Sequence, residues 1–101
     1  MPKAQTLKKE VKNRLEKEIQ FEFYAPLALE VGLGGTFNSW EASKHKLRKD
    51  QEGRWRLAIK LKPGRYEYRY LVDGNWQNDQ RSNVACVPNS FGTWNCVVEV
   101  A

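Results

Sequence analysis

Trp55-Arg56-Leu57-Ala58-Ile59-Lys60-Leu61, then Lys62-Pro63-Gly64-Arg65, then Tyr66-Glu67-Tyr68-Arg69-Tyr70-Leu71-Val72, decide the fold. In both long runs a large apolar side chain falls on every second residue, mostly with Arg, Lys or Glu between. Successive side chains of an extended chain point to opposite faces, so this period belongs to strands with one buried face. Lys62–Arg65 places Pro and Gly at its two central positions, as a type II turn requires, and predicts that the second run returns from the first. Asp73-Gly74 then turns the chain into Asn75-Trp76-Gln77, since that dipeptide tolerates positive φ at both central positions.

The same period extends outward. Ile19, Phe21 and Phe23 alternate with Gln20, Glu22 and Tyr24, and Pro26 ends that strand. Leu29, Val31 and Leu33 form another that stops at Gly34-Gly35. Residues 36–52 are polar and turn-rich, with one short strand around Lys46–Lys49. Residues 78–93 read as a long polar loop, and Thr93 to Val100 close the domain as a final strand. Six or seven short strands joined by turns, with no credible helix after residue 18, make an all-β antiparallel sandwich.

Residues 1–17 differ. Leu7, Val11 and Leu15 recur at four-residue spacing, a narrow helical stripe that is marginal unless it docks. Six bases (Lys3, Lys8, Lys9, Lys12, Arg14, Lys17) against Glu10 and Glu16 supply most of the chain's net charge of +5. Such a segment can attach a protein to nucleic acid or anionic lipid, but is more commonly a solvated tail. The chain therefore divides into a basic extension, helical, frayed or disordered, over residues 1–17 and a β-sandwich domain over 18–101.

At 101 residues there is one core, and 41% hydrophobic with 29% charged residues is ordinary for a globular chain. No run of 18 apolar residues suggests a membrane span, and the charged N-terminus lacks a signal peptide's apolar segment, so the expected location is cytoplasmic. Cys86 and Cys96 form no metal motif, because the only histidine is His45. Free buried thiols are expected there; a disulfide would need residues 84–87 and 94–98 to pair as a hairpin. Catalysis has no obvious apparatus. His45 stands alone in a Lys-rich stretch and reads as a surface residue. Asp50 and Asp73 sit in hairpin turns, and Asp79 in a loop. Gly32-Leu33-Gly34-Gly35 lacks the lysine and following helix of a phosphate loop. No enzyme, metal or cofactor is implied.

Of the twelve aromatic residues, Phe21, Phe23, Tyr68 and Tyr70 take the inward phase of strands, and Trp55 reads as structural too. Trp40, Trp76 and Phe91 instead fall in or beside loops. Large aromatics there either fold back onto the core or stay exposed for recognition. A glucose ring has an apolar C–H face and a hydroxyl rim. An indole can lie on that face while Arg, Lys, Asn or Thr satisfy the rim. Bases beside aromatics also suit single-stranded nucleic acid. The surplus charge lies in the N-terminal extension rather than among these aromatics, which favours sugar.

Three motifs carry a resemblance: Gly34-Gly35-Thr36-Phe37-Asn38-Ser39-Trp40, then Gly53-Arg54-Trp55, then Leu61 through Trp76 (LKPGRYEYRYLVDGNW). With Val87-Pro88-Asn89-Ser90-Phe91-Gly92-Thr93-Trp94-Asn95 after them, residues 18–100 resemble carbohydrate-binding module family 48. That family includes the glycogen-binding domain of AMP-activated protein kinase beta subunits and the N-terminal early-set domains of isoamylases and branching enzymes. The resemblance implies an immunoglobulin-like, early-set sandwich that binds α-1,4-linked glucan of the glycogen or starch type. It assigns stacking to Trp40 and Trp76, a basic contact to Arg69, and an apolar wedge to Phe91. Hydroxyl contacts fall to Thr93 and Asn95. Arg69 stands where lysine is usual, Trp94 is larger than expected, and the 79–88 loop is longer than in kinase subunits. With neither a catalytic barrel nor a kinase-docking segment after residue 101, a stand-alone or excised glucan module is the expectation. The alternative is a regulatory interaction module associated with a glycogen-metabolising enzyme or kinase. The expected partners are α-glucan and such an enzyme, with no nucleic acid and no membrane.

Overall fold

The computed structural model describes residues 15–101; the expected N-terminal extension lies almost wholly outside them. Eight strands follow in order: β1 (Lys17–Tyr24), β2 (Val31–Gly35), β3 (Arg48–Lys49), β4 (Arg54–Leu61), β5 (Gly64–Val72), β6 (Asn75–Gln77), β7 (Cys86–Pro88) and β8 (Trp94–Val100). They form two antiparallel sheets, one ordered β1-β4-β3 and the other β2-β5-β8-β7, with β6 also on β5. Between the sheets lie the inward residues of both. Phe21, Phe23, Trp55 and Leu61 come from one sheet, and Val31, Leu33, Tyr68, Tyr70, Val72, Cys96 and Val100 from the other. Phe21 meets Tyr68 edge-on at 5.2 Å between centroids, and Tyr68 meets Tyr70 at 5.9 Å. Trp55 is buried too, and its indole N–H donates to the Ala25 carbonyl at 2.8 Å.

The link at Lys62-Pro63 is not the expected hairpin. β4 pairs with β1 in register Lys17–Leu61 to Tyr24–Arg54, whereas β5 pairs with β2 and β8 in the opposite sheet. Gly64 already pairs with Val100 and has φ +153°, so the chain crosses from one sheet to the other here. The Tyr66 hydroxyl donates to the Lys62 carbonyl at 2.7 Å and ties down the corner. The Asp73-Gly74 turn forms as the sequence demands, with φ +47° and +84°.

Leu29 also departs from expectation. It is 90% exposed and outside β2, because the Asp73 carboxylate accepts from the Leu29 N–H at 3.0 Å and the Glu30 N–H at 2.9 Å. Asp73 therefore does more than make a turn. The strand does stop at Gly34-Gly35 as expected, the two glycines being its last residues. His45 is half-buried rather than a surface residue; its Nδ1 accepts from the Asn38 amide at 2.8 Å and its ring meets Phe37 edge-on.

Within the expected 78–93 loop, residues 86–88 form β7, and residues 79–81 close one side of the sandwich. Asp79 has a side chain only 1% exposed. Its carboxylate accepts from the Tyr68 hydroxyl at 2.8 Å and from the Arg81 guanidinium at 3.0 and 2.8 Å. Burial raises the Asp79 pKa, but the Arg81 side chain, the Arg81 backbone N–H and the Tyr68 hydroxyl together hold it below its ordinary value. Next to it, the Gln80 amide accepts from the Tyr24 N–H and donates to the Tyr24 carbonyl, both at 2.8 Å, as a neighbouring strand would.

Candidate carbohydrate site

On the edge of β5 that carries β8 and β6, its partner changes at one residue. Tyr68 pairs with Cys96 of β8, and Tyr70 with Gln77 of β6, so Arg69 stands where the two diverge. Its side chain takes the outward phase and bridges the divide. Nε donates to Asn78 Oδ1 at 2.6 Å, Nη2 to the Trp76 carbonyl at 3.3 Å, and Nη1 to Thr93 Oγ1 at 3.4 Å. A guanidinium has five N–H donors, so two remain for a ligand. Lysine, with one nitrogen, could not make this fork.

Trp76 takes its place from its neighbours. Gly34 pairs with Arg69, and a Cβ on Gly34 would come within 2.5 Å of the Trp76 ring, so only glycine lets the indole lie over the strand. Trp40 approaches from the other side. Ser39 and Trp40 both have left-handed backbones, φ +55° and +62°, each costing about 1–2 kcal/mol for a residue with a Cβ. Buried Asn38 holds them there: its Oδ1 accepts from the Gly35 N–H, its Nδ2 donates to the Leu33 carbonyl, and the Trp40 N–H donates to the Gly35 carbonyl. The result is a corner, with the two indoles at 77° and 6.1 Å between centroids.

The opposite wall comes from the β7–β8 hairpin. Asn89 organises its tip: Oδ1 accepts from the Phe91 and Thr93 N–H groups, and Nδ2 donates to Thr93 Oγ1 and Asn95 Oδ1. Gly92, at φ +79°, completes the turn. Asn95 Nδ2 in turn donates to Glu67 Oε1 at 3.1 Å, and Arg65 pairs with the other oxygen of Glu67. Phe91 stands at the tip, 89% exposed.

Together these residues enclose an open groove of about 410 Å³, lined by Trp40, Glu67, Arg69, Trp76, Asn89, Ser90, Phe91 and Asn95. Five of the six residues singled out from sequence line it. Thr93 does not, and holds Arg69 instead. Trp94 takes the same strand phase as Cys96, opposite to Asn95, and also lies outside the lining. Glu67, Asn78, Asn89 and Ser90 were not anticipated. An Asn two residues before Phe-Gly-Thr is a side-chain turn signal that could have revealed Asn89. Among the described residues, no group of three or more His, Cys, Asp or Glu could hold a metal.

A shallow groove on the outside of a β-sandwich, with an aromatic corner, one base and several amides, defines a carbohydrate-binding module, a domain class without catalysis of its own. The chain belongs to the family described as the glycogen recognition site of AMP-activated protein kinase, whose model matches residues 18–101. It is 42% identical over 52 residues to Protein FLOURY ENDOSPERM 6, chloroplastic, of Oryza sativa subsp. japonica, covering 52% of this chain and 10% of that one. It is 35% identical over 71 residues to the 5'-AMP-activated protein kinase subunit beta-1 of Sus scrofa, covering 70% of this chain and 54% of that sequence. A 1,4-alpha-glucan branching enzyme GlgB of Trichodesmium erythraeum is 40% identical over 62 residues, 60% of this chain and 8% of the enzyme. Among solved structures, the maltogenic amylase from S. marinus shares the fold, with a TM-score of 0.66 at 24% identity over 85% of this chain and 14% of the amylase. The chain thus spans about a tenth of the first of these relatives.

Proposed function

We propose that residues 18–101 bind α-1,4-linked glucan of the glycogen or starch type, without chemistry, in the groove between Trp40 and Phe91. The perpendicular pair Trp40–Trp76 carries this reading. Coplanar rings would match the flat ribbon of a β-1,4-glucan, whereas a corner matches successive sugars of a coiled α-1,4 chain, which turn relative to one another. Each indole buries one apolar sugar face, contributing roughly 1–3 kcal/mol. Arg69 offers its two spare N–H groups to the rim hydroxyls, and Asn95 and Glu67 offer their remaining hydrogen-bonding capacity. Phe91 presses into the inner curve of the chain, and Thr93 acts by holding Arg69.

Titration with maltoheptaose is expected to quench tryptophan fluorescence, while a cello-oligosaccharide of equal length does not. Trp76→Ala should weaken maltoheptaose binding by more than about tenfold, a loss of roughly 1.4 kcal/mol or more. Absence of any quenching, together with unretarded migration in a glycogen-containing native gel, would overturn the reading.

The relatives carry the matched stretch within longer proteins, mostly as a small part, which favours a second role for the whole protein. In that role the module tethers a glucan-metabolising enzyme or kinase to the polymer, in whichever compartment stores it, cytosol or plastid. No helix among the described residues is long and apolar enough to cross a membrane. Glycogen beads that retain such an enzyme only when the module is present, and release it with excess maltoheptaose, are the expected result.

A further inference from the structure

Cys86 and Cys96 are directly opposed on β7 and β8, and both thiols are free. The Asn89 N–H donates to the Thr93 carbonyl and the Val97 N–H to the Ala85 carbonyl, each at 2.9 Å. Hydrogen-bonded and non-bonded pairs alternate along an antiparallel ladder, so the cysteines occupy a non-bonded pair. Opposed Cα atoms in such pairs lie about 4.5 Å apart, within the span of about 4.4–6.8 Å that disulfides bridge, and both side chains project to one face. Cys86 is exposed and Cys96 fully buried. The ladder they belong to is short: β7 has only three residues and lies at the sheet edge. This short ladder holds the base of the hairpin that bears Asn89, Phe91, Thr93 and Asn95.

We propose that Cys86 and Cys96 are a reversible dithiol–disulfide site whose closure clamps the hairpin wall of the groove. A small-molecule disulfide serves as oxidant. The Cys86 thiolate attacks one sulfur of the oxidant, forming a mixed disulfide and expelling one thiol. The Cys96 thiolate then attacks Cys86 Sγ and expels the second thiol. Two protein thiols and one disulfide thus become one protein disulfide and two small thiols. Cys86 must act first because it alone is reachable. Burial pushes the Cys96 thiol up to about 11, against the Asp79 N–H that donates to its sulfur at 3.1 Å. Its thiolate is therefore scarce at neutral pH, and ring closure is the slow step, quickening as pH rises. Crosslinking removes freedom from the unfolded hairpin and restrains the folded one.

The test uses the full chain incubated with glutathione disulfide or with dithiothreitol. Oxidation is expected to remove two hydrogens by mass and to leave neither cysteine open to iodoacetamide after denaturation. It should raise the melting temperature by about 10 °C and slow amide exchange at residues 89–93. Dithiothreitol should reverse all of this, and Cys86→Ser should show none of it. Glutathione remaining on Cys86 with Cys96 still alkylated, or an oxidised form with unchanged melting and exchange, would overturn the proposal. Coupling to glucan rests on the reading above, while the crosslink does not. The oxidised form is expected to bind maltoheptaose about threefold tighter, because its wall is pre-ordered. Equal affinity in both forms would overturn the coupling. No binding in either form would refute the glucan reading and leave the mass, melting and exchange results standing.

Discussion

On the outer face of the three-stranded sheet, Glu18, Gln20 and Glu22 of β1 stand opposite Lys60, Ala58 and Arg56 of β4. On the outer face of the five-stranded sheet, Gly34, Arg69 and Glu67 lie in and around a groove roofed by Trp40 and Trp76. Both faces come from the same alternation, and both carry charge. On the first face the ion pairs stand in solvent: Arg54 pairs with Glu22, and Arg56 with Asp50, with side chains a third to a half exposed. On the second face the charges are tied to amides: Arg69 to Asn78, and Glu67 to Asn95. Glycine leaves room above them for indole. Paired surface charges are screened by water and contribute little, whereas fixed, partly sheltered donors beside an apolar wall can hold a polar ligand in one orientation.

The contrast breaks most sharply at Gly34. Gly34→Val would drive a side chain into the Trp76 ring. Maltoheptaose affinity should fall more than about tenfold and stability by roughly 1–3 kcal/mol in urea titrations. Ala58→Val, a similar enlargement on the charged face, should leave both within about 0.5 kcal/mol. If Gly34→Val keeps full affinity, the corner is not the site.

Asp79 sharpens the comparison, because it belongs to neither outer face and braces the sandwich from within. Asp79→Asn should cost about 2–4 kcal/mol by leaving Arg81 and Tyr68 badly matched, with glucan affinity less affected than stability. The folded carboxyl is held below its ordinary 3.8, so the unfolded chain takes up a proton more readily. Its contribution is therefore complete above about pH 4 and is lost as pH falls through the folded value. Urea midpoints measured between pH 7 and pH 3 should drop steeply for the parent and less so for Asp79→Asn.

The smallest effect is expected on the charged face itself. Arg56→Gln removes an ion pair 3.0 Å long but half exposed, and should change stability by less than about 0.5 kcal/mol without altering glucan affinity.

The strands were legible because burial on one face imposes period two, and the aromatics of the groove because they interrupt it. Trp40, Trp76 and Phe91 stand among polar residues where nothing in the strand pattern calls for them. The crossing at Lys62–Arg65 was not legible, since Pro-Gly serves a hairpin and a change of sheet equally well. Asp79 and Glu67 were missed for a different reason. Each derives its role from partners far along the chain: Tyr68 is 11 residues from Asp79, and Asn95 is 28 from Glu67. A lone acid in a polar loop or on an outward phase gives no local sign of such pairing. The opposition of the two cysteines depended on a hairpin that alternation suggested only weakly, because β7 is three residues long.

Gln80 has a consequence for crowding. β1 is an edge strand, and an uncovered edge offers its N–H and C=O groups to any second chain that arrives extended. At Tyr24 both groups are already taken by a side-chain amide, which imitates a strand and then stops. Along the rest of the strand stand Lys17, Glu18 and Glu22, whose charges discourage edge-to-edge growth. A module that gathers on a polymer does so among many copies of itself, at local concentrations where sheets can fuse. At Tyr24, one side-chain amide leaves an arriving chain no free backbone pair to join.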